Sequence, residues 1–153
     1  MTTVEAGVIR RRGSLGWLMA GLALAALGVA LYLGITKLQG GTPVCGEFHG
    51  CETVNSSEYA EVFGIPTGLF GAVASLGTLL GALVWWLAAD RRALLVTYVM
   101  GLVSLPFLAC LTYLEIFVIE AICLWCVSYA VLVIAGWVVA TYVLWRRNNE
   151  AST

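Results

Sequence analysis

Four stretches of the chain carry no charged residue and are long enough to cross a bilayer. They cover residues 14–35, 66–89, 93–114 and 121–145. A helix needs about 20 apolar residues to cross a hydrocarbon core of about 30 Å. The apolar residues are continuous rather than alternating, which argues against the strands of a membrane β-barrel. The pattern predicts an all-α membrane protein, a bundle of four transmembrane helices, with the third helix extending to about residue 117.

The composition agrees with this pattern. Apolar residues, counted as A, V, I, L, M, F, W, Y and C, make up 61% of the 153 residues, charged residues make up 11%, and the mean hydropathy is +0.93. Soluble domains carry about 25% charged residues, so a water-soluble globule is excluded. A disordered chain is excluded too, because disorder needs low hydrophobicity. The net charge of −1 argues against a nucleic-acid partner. We expect a single membrane domain covering residues 1–153.

Basic residues are unevenly distributed between the two ends of the predicted spans. With four spans, seven of the eight fall on one side of the membrane: Arg10, Arg11, Arg12, Arg91, Arg92, Arg146 and Arg147. Lys37 falls on the other side. Because Lys and Arg concentrate in cytoplasmic connections, we expect a multi-pass inner-membrane protein with both termini cytoplasmic. A cleaved signal peptide over the first stretch is the alternative, but its removal would destroy this asymmetry.

The connection over residues 36–65 is long, and a loop of that length in a compact protein is usually functional. Asn55 is a good helix N-cap, and Glu58 three residues later completes a capping-box-like pattern. These signals predict a short helix over residues 56–63, which Gly64 would end. The third and fourth spans are joined by only a few residues, around 115–120.

Five cysteines carry the candidate chemistry. Cys45 and Cys51 lie in the long outer connection, and Cys123 and Cys126 form a Cys-x-x-Cys motif at the outer start of the fourth span. Disulfides persist on this side of a membrane. Residues three apart share one helix face, so the motif can close a disulfide with modest distortion, and a helix start favours a thiolate. Cys110, inside the third span, is expected to be a buried small hydrophobe.

Two cysteine pairs at one membrane surface favour a redox relay. A thiolate released in one pair can attack the disulfide of the other, which moves two electrons between water and the membrane. Structural disulfides are one alternative. A metal site that uses His49 and the four cysteines is another, although the spacing is not a standard zinc pattern. Four cysteines allow three pairings, so the resting pairing stays open.

The chain resembles the vitamin K epoxide reductase family, which includes bacterial disulfide-forming homologues. The resemblance covers about residues 14–145 and rests on four parts that occur in one order. These parts are the first cysteine pair, the segment CETVNSS at 51–57, the segment FGIP at 63–66 leading to Phe70 and Gly71, and the Cys-x-x-Cys motif that opens the last helix. In DsbB-type thiol oxidases the Cys-x-x-Cys motif comes first. The resemblance implies a four-helix bundle that encloses a quinone near its outer surface, and a membrane thiol:quinone oxidoreductase.

The resemblance also implies a role for each cysteine of the two pairs. Cys45 would exchange with a partner's thiol, Cys51 would attack the second pair at Cys123, and Cys126 would face the quinone as the reactive thiolate. The acceptor would be a menaquinone, a ubiquinone or a quinone of the vitamin K type, and no metal is expected. No thioredoxin-like domain follows within the sequence, so we expect the thioredoxin-fold partner, of the DsbA type, to be a separate protein.

Six residues are predicted to contact the quinone. Ser57 matches a serine or threonine that the family places near the quinone, and Thr67 is the nearest match to a polar amide of the epoxide-processing members. Aromatic side chains suit a flat ring, although they equally suit an interfacial belt. The aromatic candidates are Phe70, Tyr113, Trp125 and Tyr129.

Two positions depart from the epoxide-processing members of the family. Those members carry the amide in the stretch that corresponds to residues 66–68, and a tyrosine four residues after the last cysteine. This chain has Ala130 at the second position, with Tyr129 one residue earlier. We therefore expect quinone reduction. Vitamin K epoxide reduction stays as an alternative, as do a metal-binding and a structural membrane protein.

Overall fold

The computed structural model describes residues 3–45 and 50–151, and helices dominate it. The helices are α1 (Thr3–Leu38), α2 (Gly50–Ser56), α3 (Thr67–Ala88), α4 (Arg91–Phe117) and α5 (Leu124–Ala151). The four long ones contain apolar segments that can cross a membrane, namely Gly13–Leu38, Thr67–Ala88, Arg91–Phe117 and Leu124–Asn149. The predicted four-helix membrane bundle is therefore confirmed.

The long helices form a closed ring, in which α1 and α4 each pack against both α3 and α5. At one end of the bundle α1 and α4 finish, and α3 and α5 begin. We call this end the cysteine end. A core of buried apolar residues lies toward the opposite end and includes Met19, Trp85 and Leu94. Many large apolar side chains are exposed on the outside of the ring, such as Val73 at 73% and Val103 at 64%. That surface suits lipid contact.

Glycines allow α1 and α3 to approach closely at the cysteine end. A Cβ atom placed on Gly68 would lie 2.6 Å from the backbone nitrogen of Gly34 and 2.9 Å from the carbonyl oxygen of Ala30. Helices in lipid gain stability from such close packing of small residues. The first turn of α3, with Thr67, is thereby held against α1.

The connection between α1 and α3 differs from the prediction. The short helix α2 lies at Gly50–Ser56, and a 3₁₀ turn at Glu58–Ala60 follows it. Strands β1 (Glu61–Val62) and β2 (Ile65–Pro66) then pair antiparallel. The predicted helix over 56–63 is therefore wrong. Phe63 and Gly64 both have positive φ, 55° and 76°, as a two-residue hairpin turn requires and a helix forbids.

Two further expectations are corrected at α4. This helix ends at Phe117, as predicted, but Glu115, which was also counted with the connection to α5, lies inside the helix and is buried, with 6% exposure. Cys110 is exposed on the bundle rather than buried, since its position on α4 faces away from the other helices. At the start of the helix, the carboxylate of Asp90 accepts the N–H of Arg92 at 2.8 Å and caps α4.

Candidate active site

Cys45 and Cys51 are joined by a disulfide at the cysteine end, with their Cα atoms 5.9 Å apart. Cys51 is the second residue of α2 and is 0% exposed, whereas Cys45 keeps partial exposure. The structure thus selects one of the three pairings that the sequence allowed. A thiol of another protein can reach Cys45 more easily than Cys51.

The predicted metal alternative depended on His49, which lies outside the described residues together with 46–48. Within residues 3–45 and 50–151, no group of three or more His, Cys, Asp or Glu residues could hold a metal ion.

Cys123 and Cys126 are free thiols at the start of α5, where the Cys-x-x-Cys motif placed them. Cys123 comes directly before the first helical residue and is 1% exposed. Its Sγ accepts the N–H of Cys126 at 3.3 Å, which is the bond that an N-cap side chain makes. The sulfur of Cys123 therefore caps α5, and Cys126 lies in the first turn of the same helix.

This capping arrangement favours a thiolate on Cys123. The hydrogen bond from the Cys126 thiol lowers the pKa of Cys123 below its usual range, although burial and the nearby Glu115 act to raise it. Backbone N–H groups of Cys126 and Trp125 also lower this pKa, as expected at a helix N-terminus. Because the thiolate is the nucleophile in disulfide exchange, Cys123 is suited to that chemistry.

The two cysteine pairs are held close together. A Cβ atom on Gly50, which precedes Cys51, would collide with the carbonyl oxygen of Ile122, which precedes Cys123. The indole N–H of Trp125 donates to the carbonyl oxygen of Val44 at 3.0 Å. Each pair is therefore tied to the other through the residue beside it.

Further hydrogen bonds fix the connection that carries the disulfide. The hydroxyl of Tyr32 accepts the N–H of Val44 at 3.0 Å. The ammonium of Lys37 donates to the carbonyl oxygen of Asn55 at 2.6 Å and lies 3.6 Å from the Glu61 carboxylate. The side chain of Asn55 in turn donates to the carbonyl oxygen of Gly41 at 3.2 Å. These contacts hold α2 and the hairpin over the end of α1.

Two adjoining cavities, each of about 50 Å³, lie between the helices at the cysteine end. Both are mainly apolar, and they share six lining residues: Leu33, Thr67, Gly68, Leu111, Glu115 and Cys126. Cys123 lines the first cavity, while Cys126 lines both. A ligand that entered either cavity would lie against Cys126.

The model of the vitamin K epoxide reductase family matches residues 17–141 of the sequence. The match contains the second and third membrane spans, most of the first and fourth, and both cysteine pairs. The chain belongs to the vitamin K epoxide reductase family. No curated protein matches it. Family membership makes this protein a membrane oxidoreductase, which agrees with a disulfide and a thiol pair held together at one end of the bundle.

The six predicted quinone contacts of this family member fall into two groups. Ser57 and Thr67 line the first cavity, and Thr67 and Tyr129 line the second. The hydroxyl of Ser57 donates to the carbonyl oxygen of Val54 at 2.7 Å, and that of Thr67 donates to Ala60 at 3.2 Å. The hydroxyl of Tyr129 donates to the carbonyl oxygen of Gly71 at 3.0 Å. Quinone contact stays a prediction for all three.

Phe70, Tyr113 and Trp125 are not among the described residues that line these two cavities. Phe70 is 41% exposed and Tyr113 is 58% exposed, as in an interfacial aromatic belt. The ring of Trp125 packs on Tyr32 with the ring centroids 4.9 Å apart. In this arrangement Trp125 braces the segment that carries Cys45.

Two residues beside the thiols were not recognised in the sequence as part of the site. Glu115 lines both cavities, and Lys37 lines the first. Glu115 stands eight residues before Cys123 near the end of an apolar stretch, so it resembled a span boundary. Lys37 was the single basic residue predicted on the same side of the membrane as the cysteines. This exception to the charge asymmetry was the signal in the sequence that pointed to Lys37.

Proposed function

We propose that this protein is a membrane thiol:quinone oxidoreductase that reoxidises a thioredoxin-fold partner of the DsbA type and so supports disulfide formation. One observation carries the proposal: Cys126, half of a thiol pair, lies on the wall of both apolar cavities between the helices. A quinone is an apolar molecule dissolved in the lipid. A cavity between membrane helices is therefore the place where it can meet a thiol without crossing water.

The electrons would pass through the two pairs in sequence. A partner dithiol attacks the Cys45–Cys51 disulfide at Cys45, and the released Cys51 thiolate attacks the Cys123–Cys126 disulfide at Cys123. The second thiol of the partner then releases Cys45, which leaves the partner oxidised. The freed Cys45 attacks the Cys51–Cys123 mixed disulfide, and this closes Cys45–Cys51 and leaves Cys123 and Cys126 as thiols. The arrangement of one disulfide and two free thiols is the state that precedes quinone reduction in this scheme.

The final step oxidises the thiol pair and reduces the quinone. Cys123 and Cys126 lose two electrons and two protons as their disulfide forms, and the quinone gains both and becomes a hydroquinone. Ser57 and Thr67 supply hydroxyl groups that could turn toward a quinone oxygen, since both line the first cavity. Tyr129 lies at the second cavity.

The charge distribution supports an inner-membrane orientation with the cysteine end outside the cytoplasm. Arg91 and Arg92 begin α4 at the opposite end of the bundle, and Arg146 and Arg147 lie near the end of α5 on the same side. Arginines concentrate on the cytoplasmic side. The disulfide would then face a compartment in which disulfides persist.

We expect Gly50→Ala to slow transfer between the pairs by roughly 10- to 100-fold, because a displacement of about 1 Å can cost that much in rate. The added Cβ collides with the backbone of Ile122 and pushes Cys51 away from Cys123. The measurement is partner-driven quinone turnover of the purified protein, compared with quinone reduction by protein whose thiols were reduced chemically.

Gly41→Ala is the matched control, since a Cβ there meets Thr36 at an ordinary 3.5 Å. Chemically driven quinone reduction should be unchanged in Gly50→Ala. Unimpaired partner-driven turnover in Gly50→Ala would show that electrons do not cross at this contact.

The proposed function is tested by anaerobic oxidation of the fully reduced protein with a soluble short-chain quinone. Two cysteine pairs hold four electrons, so up to two hydroquinones should form per chain. Quinone absorbance measures the yield, and mass-spectrometric mapping should find Cys123 joined to Cys126. If folded protein leaves the quinone unreduced and Cys126 alkylatable, the proposal is wrong.

A further inference from the structure

Glu115 is the one carboxylic acid within the four membrane-spanning segments. Its side chain is 6% exposed, two residues before the end of α4. Placing an ionisable side chain inside a membrane costs free energy, and the side chains found there usually serve a function. The contacts of Glu115 indicate which function.

The carboxylate of Glu115 is placed against both thiols. Its Oε2 accepts the backbone N–H of Cys123 at 3.3 Å, and the carboxylate interacts electrostatically with the Cys126 thiol, beside which Glu115 lines both cavities. The carbonyl oxygen of Glu115 accepts the N–H of Ala121 at 3.0 Å. The end of α4 therefore holds both the connecting segment and the thiol pair, and the carboxylate faces the two cavities together with Cys126.

Quinone reduction by two thiols requires two protons to move from sulfur to oxygen. Where a quinone would bind, the surroundings are mainly apolar, so water is a poor carrier for those protons. The Cys126 proton has two acceptors within hydrogen-bond reach, the Cys123 sulfur and the Glu115 carboxylate. A proton on Cys123 would suppress the thiolate of that residue, whereas a proton on the carboxylate leaves both sulfurs free to form the disulfide.

We propose that Glu115 is the proton carrier of the site: it takes the proton of the Cys126 thiol and delivers it to a quinone oxygen in the adjoining cavity. The S–H bond of Cys126 breaks, the Cys123–Cys126 bond forms, the electron pair passes to the quinone, and the carboxyl group ends as it began. The second proton, which Cys123 releases to water on becoming a thiolate, is returned from water to the other quinone oxygen. This proposal rests on the quinone reduction proposed above and assigns a further catalytic residue to it.

Other titratable groups face the same space. Cys123, Lys37 and Tyr59 line the first cavity, and Tyr129 lines the second. Lys37 donates to the carbonyl oxygen of Asn55 and pairs with Glu61. The hydroxyl proton of Tyr129 is directed to the carbonyl oxygen of Gly71. Among the described residues that line these two cavities, Glu115 is thus the one that places a carboxyl group beside Cys126.

The test compares single-turnover quinone reduction by chemically reduced wild type, Glu115→Gln and Glu115→Asp over a range of pH. General acid–base groups contribute about 100-fold or more, so Glu115→Gln should be slower by roughly that factor. Glu115→Asp should recover much of the rate, because it keeps the carboxyl group. A purely structural role predicts the reverse order, since Gln preserves the length and the acceptor for Cys123.

A second readout needs no quinone. The Glu115 carboxylate raises the pKa of Cys123, so its removal in Glu115→Gln must leave the pH midpoint of Cys123 alkylation unchanged or lower. A higher midpoint would mean that the thiol pair was displaced, and it would overturn the proposal. Glu120→Gln is the matched control, being the same exchange at an exposed position of the connection.

The outcomes separate the two proposals. Wild-type rates in Glu115→Gln, with quinone reduction intact in the wild type, overturn the proton-carrier role and leave the proposed function standing. Absence of quinone reduction in the folded wild type overturns both proposals. Slow reduction in Glu115→Gln, recovery in Glu115→Asp and a normal Glu120→Gln support the role of Glu115.

Discussion

Cys126→Ala is expected to reduce quinone turnover by at least roughly 1,000-fold, because loss of a nucleophile that acts as part of a unit costs that much or more. Cys126 is the cysteine that lines both cavities. Without it, Cys123 cannot form the disulfide that supplies the second electron. The remaining thiol also loses the hydrogen bond that lowers its pKa, so a smaller fraction is thiolate at neutral pH.

The measurement is anaerobic reduction of a soluble quinone analogue with a small dithiol as donor. Cys110→Ala is the matched control, because Cys110 is a free cysteine on the exposed face of α4 and its removal should leave turnover unchanged. Thermal unfolding in detergent verifies that each variant is folded. Substantial turnover in Cys126→Ala would show that electrons reach the quinone by a route that bypasses this thiol.

Cys45→Ala should separate the two electron donors. Turnover driven by a reduced thioredoxin-fold protein of the DsbA type should fall by about 100-fold or more, since the thiolate–disulfide attack needs an accessible sulfur. Cys51 cannot replace Cys45, because Cys51 is completely buried in α2. A small dithiol can instead reach the partly exposed Cys126 through the cavities, so turnover with that donor should stay within about threefold of wild type.

Both donors are compared in the same preparation, and the ratio of the two rates is the quantity of interest. Trapping experiments add a direct test, because the free Cys45 thiolate of Cys51→Ala should attack the disulfide of the oxidised partner and form a mixed disulfide that Cys51 can no longer resolve. Equal loss of turnover with both donors in Cys45→Ala would argue against a relay of two pairs. A mixed disulfide at Cys123 in place of Cys45 would place the entry of electrons at the second pair.

Local patterns were sufficient for much of the architecture. Uncharged runs located the four spans because a bilayer imposes a length and an apolar composition that can be read residue by residue. The Cys-x-x-Cys motif was correctly placed at a helix start, where Cys123 provides the cap. The region 50–66 was predicted poorly, since Asn55 and Glu58 resemble a capping box while the positive φ of Phe63 and Gly64 requires a turn.

Glu115 shows why the candidate site was only partly predictable. In the sequence it is one charge near the end of an apolar run, and such a charge normally marks the membrane boundary. Its burial results from α4 extending to Phe117 and from the backbone N–H of Cys123 that it accepts. That partner lies eight residues away, across a connection whose path the local pattern did not determine.

The sequence by itself determined that this is a membrane protein with four spans, that its charges are asymmetric, and that it carries two pairs of closely spaced cysteines. These properties depend on composition and on spacing along the chain. The tertiary structure decided the Cys45–Cys51 pairing, the approach of Gly50 to Ile122, and the placement of Glu115 and Cys126 at the same cavities. Those features depend on how helices pack against one another, and packing brings together residues that no short pattern relates.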